Sequence, residues 1–250
     1  MNALPRPSSL LHTAELLLRN PPALIARIRE GDSLKDLPLQ LTLIAVGGFA
    51  SFGFLLGLTH SPVAGLISAP KLVAVGLGSL AVCLPSLHVY GRLLGNPSGI
   101  LQVACEALTA LATTGMTLLA LCPVWLAYAH LVGGPPNAYF HVMLGAVAFL
   151  AFAGVRGTAV LLGALRLQKR AALHLAAWTL LYGMVGLQAA WMLRPFVGTP
   201  TDTSGKLALF RPLDRSAFDA TWNLFGSNVN SLTGQRTLRQ AYPFSRDRGE

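Results

Sequence analysis

Apolar residues gather into five long runs, near residues 38–58, 71–91, 101–132, 139–165 and 172–193, with turn-forming and charged residues collected between them. A helix needs about 20 mainly apolar residues to cross roughly 30 Å of hydrocarbon, so each run predicts a membrane-spanning helix. The fold class that follows is all-α: a polytopic transmembrane helix bundle of about five spanning helices with amphipathic flanking helices. Three segments result, an arm over 1–37, the bundle over 38–196 and a short tail over 197–250.

In the arm, Leu10, Leu11, Ala14, Leu17 and Leu18 recur at helical spacing, and Leu24, Ile25 and Ile28 follow Asn20-Pro21-Pro22 beside Arg27 and Arg29. This pattern predicts two short amphipathic helices resting on the membrane surface. His12 and Glu15 interrupt the first of them and no small-residue cleavage site follows, so the first span is expected to act as an uncleaved anchor. That span carries Gly53 and Gly57, a GxxxG spacing that favours close packing on a neighbouring helix of the same chain over dimerisation.

The segment near 59–70 reads as a loop, and the second span as starting at Lys71 and kinking at Pro85. Gly95-Asn96-Pro97-Ser98-Gly99 then makes a turn. The run from Ile100 to Val132 exceeds one untilted crossing, and Pro123 lies near its end; it is either one long helix with an extension or two half-length elements. The last span closes on Trp191, Arg194 and Phe196, an aromatic and basic pattern suited to a membrane boundary.

In the tail, Ser216-Ala217-Phe218-Asp219 fits a capping box and predicts a helix near 216–225. Phe218, Trp222 and Phe225 share one face of it, which is expected to lie against lipid or the membrane domain. Orientation follows from the basic residues. The arm holds five Lys or Arg residues, and the fourth run with its following connection four (Arg156, Arg166, Lys169 and Arg170), against one (Lys71) and none at the connections of the other side. The positive-inside rule then places the arm in the cytoplasm and, with five spans, the tail outside. The eight basic residues from Arg194 onward pull the other way, and a sixth span would bring the tail back inside.

Composition agrees with lipid as the solvent: 53% of the residues are hydrophobic and only 12% charged. A net charge of +9 invites a nucleic-acid reading, but the basic residues flank the apolar runs instead of forming one face, so membrane lipids are the expected partner and nucleic acid is not. Cys83, Cys105 and Cys122 lie in apolar runs without metal-ligand spacing and read as small core residues.

Ionisable groups at membrane depth are expensive and are candidates for function. Glu106 is the sharpest, and Arg92, across the short turn that precedes the third span, is its expected partner. His88 and His174 fall on the same side. The candidate intramembrane polar site is therefore Glu106, Arg92, His88 and His174. The histidines show neither HxxxH nor HExxH spacing, so no metal is expected, and with neither a P-loop, a GxSxG elbow nor paired carboxylates, neither a cofactor nor an enzymatic reaction is expected.

The stretch Tyr182 to Gly198, with Leu193-Arg194-Pro195-Phe196-Val197-Gly198 at its end and Phe210-Arg211-Pro212 beyond, resembles a group of uncharacterised bacterial multi-pass membrane proteins whose last helix ends in a similar Arg-Pro-Phe-x-Gly turn. The general plan also resembles Yip1-type membrane proteins. Both resemblances imply architecture alone. The expectation is an inner-membrane protein, a non-enzymatic subunit or scaffold that binds partner proteins or lipids. The alternative is a small transporter or lipid-handling protein that uses Glu106, His88 and the Pro85 kink.

Overall fold

A computed structural model describes residues 10–31, 36–132, 138–165, 171–193 and Phe196. The tail, with Phe218, Trp222, Phe225 and the helix expected at 216–225, lies outside the described residues, as does Arg194. Every regular element among the described residues is a helix: α1 (Leu10–Arg19), α2 (Pro21–Glu30), α3 (Leu37–Leu58), α4 (Pro62–Leu93), α5 (Ile100–Val132), α6 (Ala138–Leu165) and α7 (Ala171–Leu193). Five of them, α3 to α7, are long and apolar enough to cross a membrane.

Local chemistry sets the ends. Asn20 caps α2 by accepting from the Ala23 amide at 3.3 Å, and Pro21 and Pro22 occupy first-turn positions where no amide hydrogen is needed. Gly31 ends α2 at φ 76°, a left-handed conformation that glycine adopts without strain. Ser61 caps α4, accepting from the Ala64 amide at 3.1 Å, with Pro62 at the first helical position. The second span therefore begins at Pro62, and the segment expected as a loop over 59–70 is largely its first turns. Pro70 and Pro85 both sit inside α4, which continues to Leu93, and α5 runs unbroken through Pro123. A membrane helix tolerates such prolines because neighbouring groups re-satisfy the freed carbonyls. The long third run is thus one helix, about 50 Å at 1.5 Å per residue, and the six-span alternative falls away.

Glycines decide which helices touch. Opposite faces of α3 pack on α5 and on α4, while α6 lies against α5 and α7 against α4. A Cβ at Gly48 would collide with the backbone of Gly115 on α5. On the other side, a Cβ at Gly53 would stand 2.9 Å from the Ser68 carbonyl, and one at Gly57 would strike Ala64. Lipid is as apolar as leucine, so helices in a bilayer associate through close backbone approach and polar contacts. Gly53 and Gly57 serve contacts within the chain. Gly157 of α6 likewise abuts Ala110 and Thr114 of α5.

The arm departs from its expected place. α1 and α2 form, but their apolar faces turn toward the bundle: Leu17, Leu24, Ile25 and Ile28 are buried against the ends of α3, α5 and α6. The sequence pattern defines an apolar face without saying whether lipid or protein covers it. Leu10, Leu11 and Leu18 of α1 remain exposed on its other side.

Candidate functional site

The third spanning helix carries a polar stripe, Gln102, Glu106, Thr109, Thr113 and Thr117, at i, i+4, i+7, i+11 and i+15 on one face of a 3.6-residue period. Three of its members need no outside partner. Thr109, Thr113 and Thr117 donate their hydroxyls to the carbonyls of Cys105, Thr109 and Thr113, four residues back, at 2.7, 2.8 and 2.8 Å. This back-bonding is how a hydroxyl sits inside a helix bundle without leaving a bare donor.

Glu106 has no such option. It is 1% exposed, and neither carboxylate oxygen accepts a hydrogen bond among the described residues. Its cation is Arg29 of α2, with Nε 3.5 Å from Oε1. The same guanidinium donates through Nη2 to the carbonyl of Ala164, near the end of α6. Gln102, one turn before Glu106, donates to the last carbonyls of α2, at 3.5 Å to Ile28 and 3.3 Å to Arg29. One arginine thus joins three helices, and α2 is fastened across the end of the bundle by both its side chain and its backbone. Thr13 of α1 adds a tie to Gln40 at the start of α3.

The expected pairing of Glu106 with Arg92 is therefore corrected. Arg92 is exposed at the end of α4 and donates to the Pro97 carbonyl at 3.0 Å, within the turn. The short connection made Arg92 look near in sequence; docking of α2 brings Arg29, 77 residues from Glu106 by number, nearer in space.

The remaining candidates lie on the α4–α7 side. His174 is buried beneath α4, its ring edge-on to Tyr90 at 6.4 Å, and His88 is half-buried with Nδ1 out of contact with water. Further along the same seam, Trp178 Nε1 donates to the Cys83 carbonyl and Tyr182 hydroxyl to the Gly76 carbonyl, each at 3.0 Å, with the two rings stacked at 5.4 Å. The four expected site residues thus fall in separate places: Glu106 under α2, Arg92 in the turn, and the two histidines along α4 and α7. Trp191 lies in the last turn of α7, while Phe196 is buried and its carbonyl accepts from Ser68 of α4. Phe196 closes onto the protein instead of projecting as a lipid anchor.

Two residues were missed. Arg29 reads in sequence as the polar side of a surface helix, and nothing in the spacing points it at Glu106. Lys71 reads as a helix start, but it lies well inside α4 and is buried. Here a signal existed, because Ser61-Pro62 is an N-cap followed by a first-turn proline and marks the true start.

Compared with family models, with curated proteins and with solved structures, the chain matches none. Among the described residues no group of three or more His, Cys, Asp or Glu side chains is placed to hold a metal ion. Cys83, Cys105 and Cys122 are free, the first two fully buried.

Proposed function

We propose that this integral membrane protein is a non-enzymatic scaffold of the inner membrane, arm toward the cytoplasm, that binds partner proteins or lipids around a packed five-helix core. The observation that carries this reading is the seam of α3 against α5 at Gly48 and Gly115, and against α4 at Gly53 and Gly57. Backbone meets backbone on both sides of the middle helix, and transport along it would require these contacts to part. The polar groups of the bundle support the same reading, since the threonines of α5 and the Trp178 and Tyr182 donors are spent on backbone carbonyls.

One observation favours the alternative, a small transporter or lipid-handling protein: Glu106 is a buried acid at membrane depth whose carboxylate meets Arg29 only at 3.5 Å and accepts no closer hydrogen bond among the described residues. Its surroundings differ from those first expected, because Arg29 replaces Arg92 and His88 belongs to another seam. The two readings part in one experiment. The protein is purified in mild detergent, its co-purifying proteins and lipids are identified, and the same preparation is placed in vesicles carrying a proton gradient. A scaffold yields a stoichiometric companion and leaves the gradient intact. Gradient collapse that disappears in Glu106→Gln would overturn the scaffold reading.

A further inference from the structure

The arm presents an unusual balance of forces. Leu24 and Ile28 of α2 are fully buried against the bundle, but the same apolar face would be as well served by the hydrocarbon boundary of a bilayer. In lipid the hydrophobic term for helix docking largely cancels, and polar contacts decide. Three of those contacts reach α5, and all three are long. The Arg29–Glu106 separation is 3.5 Å, and the Gln102 bonds to Ile28 and Arg29 are 3.5 and 3.3 Å, against about 2.9 Å for a well-formed N–H···O bond. Apart from that long ion pair, the Glu106 carboxylate accepts no hydrogen bond among the described residues in the docked arrangement.

We propose that the α1–α2 arm is a latched cap which exchanges between the bundle end and the membrane surface, with Arg29 as the latch, and that its departure opens Glu106 to the aqueous phase on that side. The geometry provides the parts. α2 has its own caps at Asn20 and Gly31, so it can move as a unit, and α1 already shows Leu10, Leu11 and Leu18 on its free side for lipid to cover. Arg29 touches the acid of α5 and the carbonyl of α6 together, so one side chain holds the cap to two spans. An under-bonded carboxylate limits how firmly the cap is held, because water reaching Glu106 in the open arrangement supplies the hydrogen bonds that the docked one lacks. Buried ion pairs often serve registry and switching better than net stability.

The test uses Cys105, fully buried on the same turn of α5 as Glu106. In the full-length protein in nanodiscs, with Cys83 and Cys122 replaced by alanine, the rate of Cys105 alkylation by N-ethylmaleimide is measured for Arg29, Arg29→Ala and Arg29→Lys. A parallel series retains only Cys122, far from the arm on α5. Arg29→Ala is expected to raise the Cys105 rate by about tenfold, equal to about 1.4 kcal/mol of docking equilibrium. Arg29→Lys should fall between, and the Cys122 rate should stay constant. An unchanged Cys105 rate overturns the latch, and a parallel rise at Cys122 overturns it as well, since that outcome marks general loosening of the bundle.

Discussion

Gly47 and Gly48 are adjacent on α3 yet face different surroundings: a Cβ at Gly47 meets nothing within 4 Å, whereas one at Gly48 lands on the backbone of Gly115. Alanine at each position therefore separates the α3–α5 contact from helix propensity. Gly47→Ala leaves the packing untouched and removes the entropic handicap of glycine, a gain of about 0.5–1 kcal/mol. Gly48→Ala carries the same gain against a collision that no rotamer relieves. The helices must part by about 1 Å, which forfeits up to half of the dispersion well of each atom pair along the seam. Ala45 and Ala112 on that seam are fully buried. Overpacking a filled interior costs about 1–3 kcal/mol, and a backbone obstacle puts Gly48→Ala at the top of that range. Gly53→Ala is intermediate: its methyl would stand 2.9 Å from the Ser68 carbonyl and 3.0 Å from Leu72 Cβ, a milder overlap than the one at Gly48, which a backbone shift of a few tenths of an ångström relieves. The expected order of stability is Gly47→Ala, wild type, Gly53→Ala, Gly48→Ala, with about 3 kcal/mol, or roughly 100-fold in the folding equilibrium, between the ends. Unfolding in mixed micelles of increasing dodecyl sulfate content, followed by far-ultraviolet circular dichroism, measures it. Equal midpoints for Gly47→Ala and Gly48→Ala would refute the α3–α5 seam and, with it, the packed middle of the bundle.

Glu106 should couple to Arg29 and not to Arg92. Because Arg29 is 31% exposed at its side chain, removing either partner alone should cost about 1–3 kcal/mol, at or below the range for a fully buried pair, and the Arg29→Ala/Glu106→Gln double variant should cost less than the sum. Additive losses in that pair, or non-additive ones between Glu106→Gln and Arg92→Ala in the same unfolding assay, would contradict the site geometry. Five spans also put the arm and the tail on opposite sides, so cysteines introduced at Ser8 and Ser231 of a cysteine-free protein should react with an impermeant maleimide from opposite faces of sealed vesicles. Labelling of both from one face would remove the odd span number.

Sequence alone marked the five apolar runs and the arm helices, because both rest on one-dimensional quantities, whereas the structure decided that the third run is one helix and not two. A run of apolar residues long enough to cross hydrocarbon is visible wherever it packs, and Leu10–Leu18 and Leu24–Ile28 declare their apolar faces by spacing. Helix starts are equally local, and Ser61-Pro62 set the start of α4 although Lys71, the first charge of the run, drew attention away from it. The tertiary structure decided what those faces meet. Lipid and protein interior are nearly equivalent to a leucine, so hydropathy cannot say that Ile28 is buried against α5 and α6 instead of in the bilayer. The partner of Glu106 was hidden for the same reason: a charge at membrane depth demands compensation, but the demand is met by whichever cation the packing delivers. That choice passed to Arg29 because the fit of α2 across the ends of α5 and α6 carries its guanidinium over the carboxylate, while Arg92 turns back onto Pro97.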